Sequence, residues 1–132
     1  MYNTLVIDVQ KQITYWRDSS IEDWQVANEL INAGHSRQGL FFAQLALEKI
    51  LKAYVCQQTD DLAPRIHNLV RLAEIADLKL TADQLDILAE MSAFNIEGRY
   101  PDALLPVISL EEATIYIRRA EEIYLWLKKQ LS

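Results

Sequence analysis

At 132 residues the chain has room for one hydrophobic core and too little for two ordinary ones, so a single domain over residues 1–132 is expected. Half of it is apolar (51%), with 24% charged residues and only 3 Gly and 3 Pro, which excludes disordered, collagen-like and disulfide-framework classes. The net charge of −6 repels nucleic acid overall and confines any phosphate contact to a local basic patch. The lone Cys56 cannot form an internal disulfide, and Met1-Tyr2-Asn3-Thr4 starts no basic leader with an apolar stretch, so a cytoplasmic protein is expected. No apolar run approaches the roughly 18 to 20 residues that cross a bilayer, and no membrane role is expected.

Helical spacing recurs along nearly the whole sequence, without convincing period-2 alternation. Val9, Ile13, Trp16, Ser20, Trp24, Ala27 and Ile31 mark one face of a helix over 4–33, ending at Ala33-Gly34, where Gly suits a left-handed position. Asp18-Ser19-Ser20 leaves open a restart near Ile21, because Ser20 has the character of an N-cap. The second helix runs from His35 or Ser36 to Gln58, and its wide apolar face, from Leu40 to Tyr54, marks it as central. A loop over 57–64 ends at Pro64, and a shorter helix follows from Ile66 to Asp77.

Thr81-Ala-Asp-Gln84 reads as a capping box opening a fourth helix with Leu85, Leu88, Ala89 and Ser92 on its core face, stopping before Tyr100-Pro101. Ser109-Leu-Glu-Glu112 reads as a second capping box. Beyond it Ala113, Ile117, Ala120, Tyr124, Leu127 and Leu131 form a heptad-like seam suited to shallow bundle packing. The fold class expected is all-α, an antiparallel up-and-down bundle of about five helices.

Familiar catalytic signatures are missing: there is no Gly-rich phosphate loop, no Cys-x-x-Cys and no His-Glu-x-x-His. With His35 and His67 alone, no multi-histidine metal site is expected, and no cofactor is implied. Three groupings carry chemistry. Lys49 and Lys52 lie three apart on the second helix, with Glu48 four residues before Lys52; this is either a solvated salt bridge or an anion site. His67, in Arg65-Ile-His67-Asn68, is either a structural hydrogen-bonding residue or a phosphate ligand at the start of the third helix. Arg99 and Tyr100, near Pro101, offer a bidentate anion contact beside an aromatic ring, or a structural pairing of Arg99 with Glu48 or Glu97. Trp16, Trp24 and Trp126 read as core or interface anchors, Cys56 as a buried thiol, and Asp83, Asp86, Glu90 and Glu97 as a solvated acidic face.

Taken in order, Trp24–Leu30, the stretch Gly34–Tyr54 with Leu47-Glu-Lys-Ile-Leu-Lys-Ala53, then His67-Asn-Leu, then Phe94–Asp102 with Arg99-Tyr-Pro-Asp, resemble the HEPN domain over roughly residues 15–127. The branch resembled is the prokaryotic one ending its fourth helix in Arg-Tyr-Pro. The resemblance implies a homodimeric helical bundle that partners a minimal nucleotidyltransferase, and of the site residues it carries over Arg99 alone; Lys49, Lys52, His67 and Tyr100 join Arg99 as this sequence's own candidates for binding a nucleotide or RNA phosphate. It also implies an alternative, a ribonuclease toxin of a toxin-antitoxin module, in which Arg99 is the residue carried over and His67 or another base of this sequence stands in for the missing partner. Ribonuclease members carry Arg, four to six residues, then His; here Arg99 matches the Arg, but no Arg is followed by His at that spacing. The catalytic residues are therefore left unassigned. Tyr100 carries a hydroxyl that a nucleotidyltransferase could modify, against the alternative of a packed structural tyrosine.

Overall fold

The computed structural model describes residues 6–95 and 108–131. Five helices follow in order: α1 (Val9–Asn32), α2 (Ser36–Thr59), α3 (Leu69–Ile75), α4 (Ala82–Ser92) and α5 (Leu110–Gln130). There is no strand among the described residues. α1 starts at Asp8, whose carboxylate accepts the Lys11 N–H, and turns off at Gly34 with φ of 87°. Ser20 does not interrupt it. The Ser20 hydroxyl is buried and donates to the Tyr124 hydroxyl oxygen at 2.9 Å, so a residue with cap character serves instead as a polar link between α1 and α5.

α2 touches each of the other four helices, as its wide apolar face predicts. Leu40, Ala43, Leu47, Ile50, Leu51 and Ala53 are fully buried on it, each large aliphatic side chain contributing about 1.5–3 kcal/mol by leaving water. α1 lies antiparallel to α2: Ile31 and Ala27 meet Gly39, while Asp23 meets Lys49 and Trp16 meets Lys52. At the first crossing a Cβ on Gly39 would stand 2.6 Å from Ile31 Cδ1 and 3.1 Å from the Ala27 carbonyl oxygen, so the closeness of the two helices depends on glycine there.

The expected seam of α5 is buried throughout, from Ala113 to Leu131. Tyr124 stacks on Trp24 of α1, with centroids 4.5 Å apart and planes 9° from parallel, and Tyr54 of α2 donates to the Leu127 carbonyl at 2.6 Å. Glu90 pairs with Arg119, and Phe94 meets Tyr116 edge-on, which sets α4 antiparallel to α5. The four longer helices thus alternate in direction, and short α3 bridges α2 to α4.

Three local expectations are corrected. α3 begins at Leu69 and not at Ile66, because the Asn68 carboxamide takes the Arg71 N–H and caps the helix there, leaving Arg65–His67 in the preceding connection. On α4 the core face is Ile87, Leu88 and Met91, with Leu85 and Ala89 exposed. This short helix is apolar on more than one side, so its neighbours choose which side turns inward. The capping box at Thr81 and Gln84 forms in full, whereas at α5 the Ser109 hydroxyl accepts the Glu112 N–H but itself donates to the Glu112 carboxylate. The predicted stop of the fourth helix before Tyr100 lies outside the described residues, although α4 proper ends at Ser92.

Candidate functional site

Residues four apart on a helix stack above one another. On α2 this places Gln44, Glu48 and Lys52 in one file, and all three are buried on the most apolar helix of the molecule. A buried carboxylate requires partners, because its water is gone. Glu48 has three. Gln44 Nε2 lies 3.2 Å from Oε1, Lys52 Nζ lies 3.1 Å from Oε2, and His67 Nδ1 stands 3.0 and 3.1 Å from the two oxygens. Behind this group the Lys52 ammonium sits 5.1 Å from the centroid of the Trp16 ring, where the electron-rich face favours a cation.

The backbone around His67 is held from two sides. Asn68 caps α3, and the Leu69 N–H donates to Ser92 Oγ at the end of α4 at 3.0 Å. Gln44 Nε2 also reaches the His67 carbonyl oxygen at a long 3.5 Å. The imidazole is 51% exposed, while the side chains of Glu48 and Lys52 are only 5% and 7% exposed. His67 is therefore the member through which the buried group meets solvent. A carboxylate already paired with an ammonium accepts and does not donate, so Nδ1 carries the proton toward Glu48. Nε2 then has no partner among the described residues and is the acceptor of the neutral ring.

These positions correct the reading of the Glu48–Lys52 pair as a solvated salt bridge: it is buried, because α1 and the 65–68 connection cover that file of α2. Lys49 does not join the group. Three residues from Lys52, it turns to α1, donating to Ser19 Oγ at 2.7 Å and pairing with Asp23 Oδ2 at 2.7 Å. Lys52 and His67 thus share one carboxylate, and Lys49 belongs to a separate link between α1 and α2. Arg99 and Tyr100 lie outside the described residues, as does Glu97. Gln44 was not singled out from sequence, and Glu48 was read there only as a partner for Lys52 or Arg99; the available signal was three polar residues at four-residue spacing along an otherwise apolar helix face.

Elsewhere the chemistry is quieter. Cys56 is buried, which pushes its thiol above the usual range; the Asp61 charge raises it further, while hydrogen bonds from the Ala63 and Cys56 backbones oppose the shift. Trp24 is buried in the core, and Trp16 and Trp126 are half-buried against it. Asp83 and Asp86 are exposed, and Glu90 is paired with Arg119. Among the described residues no three His, Cys, Asp or Glu side chains could hold a metal ion together, and no helix is long and apolar enough to cross a membrane.

The sequence model of the HEPN domain matches residues 13–130, which include every member of the buried group and span all five helices apart from the first turn of α1. The chain belongs to the HEPN domain family. Two crystal structures share its fold. One, TT1696 from Thermus thermophilus, is 20% identical with a TM-score of 0.73, covering 89% of this chain and 97% of that one. The other, ST0689, described as an archaeal HEPN homologue, is 22% identical with a TM-score of 0.70, covering 91% of this chain and 98% of that one. No curated protein matches the sequence. Within this HEPN chain the Glu48 group joins the central helix to the connection that precedes α3.

Proposed function

We propose that this HEPN domain acts in the cytoplasm as a homodimeric partner of a minimal nucleotidyltransferase and contacts a nucleotide or RNA phosphate through His67. The observation that carries the phosphate contact is the half-exposed imidazole held against the buried carboxylate of Glu48. Once protonated, such a ring presents a cationic N–H at Nε2 to an anion, and Glu48 and Lys52 balance one another behind it. Arg99, seven residues after Ser92 in the sequence, is the guanidinium proposed for the same anion. Tyr100 is the adjoining hydroxyl. The Arg-Tyr-Pro sequence supports the pairing with a nucleotidyltransferase.

Native mass spectrometry of the protein captured from its own cells tests this reading in one measurement. A dimer carrying a nucleotidyltransferase-sized chain or a retained nucleotide is the expected result, with the nucleotide lost from His67→Ala and Arg99→Ala. A monomer with neither partner nor nucleotide overturns it.

A second reading, a ribonuclease toxin, is favoured by the same hydrogen bond seen differently. A carboxylate holding Nδ1–H leaves Nε2 as a base, which supplies the proton acceptor that the sequence lacks after Arg99. Growth arrest on expression that disappears in Arg99→Ala with the fold retained supports this reading; equal harmlessness of both proteins removes it.

A further inference from the structure

Net stabilisation is a poor reason for the Glu48 group to exist, because a buried ion pair gives up about as much hydration as it gains in attraction. Its surroundings are nevertheless arranged around the carboxylate. The Gln44 amide turns Nε2 to Glu48 and leaves its own Oε1 buried without a hydrogen-bond partner, an arrangement that works against stability. Lys52 faces Glu48 at one oxygen with Trp16 against its ammonium, and His67 approaches both oxygens. Every partner of Glu48 except His67 is buried. The carboxylate therefore has one outlet, the imidazole at the surface.

We propose that Glu48 is a positioning residue, held by Gln44 and Lys52, that locks His67 with its proton on Nδ1 so that Nε2 is the proton acceptor for a ribose hydroxyl beside a bound phosphodiester. This rests on the ribonuclease reading above and names the base that reading requires. In the step, the 2′-oxygen gives its proton to Nε2 and bonds to phosphorus as the bond from phosphorus to the 5′-oxygen breaks. The departing 5′-oxygen takes a proton from water, and the hydroxide so formed returns the imidazolium to neutrality. The products are a 2′,3′-cyclic phosphate and a 5′-hydroxyl. Glu48 touches only the imidazole; its part is to fix the tautomer and orientation of the ring and to face the positive charge that develops on it.

The chain has two histidines, and His35 is exposed at the start of α2 with no hydrogen bond from its side chain to the cap, so it serves as an internal reference. Long-range proton–nitrogen NMR of the neutral imidazoles reads the tautomer directly. In the wild-type protein His67 is expected to be protonated at Nδ1. In Glu48→Gln/Lys52→Met, which removes both buried charges and spares the fold an orphaned ammonium, it is expected to shift to the Nε2–H form that free histidine favours in water. A wild-type His67 protonated at Nε2, or a tautomer unchanged by the double variant, overturns the positioning role.

Cleavage of a short RNA oligonucleotide supplies the functional arm. The double variant is expected to lose roughly tenfold or more in kcat with little change in KM, and His67→Ala to lose as much or more. Undiminished cleavage by His67→Ala overturns the proton-acceptor role. Intact RNA with the wild-type protein, alongside the expected tautomer, removes the ribonuclease reading and the acceptor role together while leaving Glu48 as the residue that orients the ring.

Discussion

Two lysines three residues apart on α2 meet opposite fates. Lys49 pairs with Asp23 and Ser19 of α1 in a closed link whose charged side chains are both largely covered, so it ties one helix to another and leads nowhere else. Lys52 pairs with Glu48 on its own helix, and the carboxylate leads on to an imidazole that is half in solvent. The first arrangement has the shape of a staple and the second that of a site. The difference lies in whether the charged chain ends inside the protein or at its surface.

That contrast breaks most sharply at Lys52. Lys52→Ala leaves Glu48 buried without its ammonium, and a loss of about 3–5 kcal/mol in urea-unfolding stability is expected; the Glu48→Gln/Lys52→Met pair should recover most of it. A loss within about 0.5 kcal/mol of zero for Lys52→Ala would place the pair in water and erase its difference from a solvated surface bridge.

Gly39→Ala probes the α1–α2 crossing that sets the spacing for both groups. With an added Cβ 3.1 Å from the Ala27 carbonyl oxygen and closer still to Ile31, it is expected to lower stability by about 1–3 kcal/mol in the same assay. A neutral result would show that the Ile31 side chain moves aside freely.

Lys49→Met sharpens the comparison from the other side. It strands Asp23, with an expected loss of about 1–3 kcal/mol, yet the His67 tautomer should stay as in the wild type because Lys49 shares no atom with the Glu48 group. A changed tautomer would mean that the two groups are one network.

The smallest effects belong to the buried hydroxyls. Tyr124→Phe removes the Ser20 contact and should lower stability by about 1 kcal/mol. Burial raises the Tyr124 phenol above its usual 10.0, with the Asp23 charge adding and the Ser20 hydrogen bond opposing; burial alone raises Tyr54. Their folded pKa values exceed the unfolded ones, so their contribution is complete below about pH 10 and declines as pH rises from the unfolded value through the folded one. Unfolding curves between neutral pH and about pH 11 should show that decline, and Tyr124→Phe should flatten it.

The legible part of the fold was the part governed by local rules. The α5 seam buried as spaced, the Thr81 box closed, and Gly34 took positive φ where the first helix ended, because caps and periodicity depend on residues within a turn or two of each other. α4 was less legible, since apolar residues on several sides of a short helix do not say which will be covered; packing brought in Ile87 and Met91 and left Leu85 outside. Of the candidate site, His67, Lys52 and the four-residue spacing of Glu48 to Lys52 were visible, but the link from Glu48 to His67 was not.

By itself the sequence determined that this chain would be a helical bundle with α2 at its centre, because amphipathic spacing and capping are properties of the local chain. Tertiary structure alone decided that Ser20 would bond Tyr124 across 104 positions, that Lys49 would turn to α1, and that His67 would meet Glu48 across 19. The physical reason is burial. A carboxylate on a helix face chooses water or a neighbour according to what packs over it, and that cover comes from elements remote in the chain.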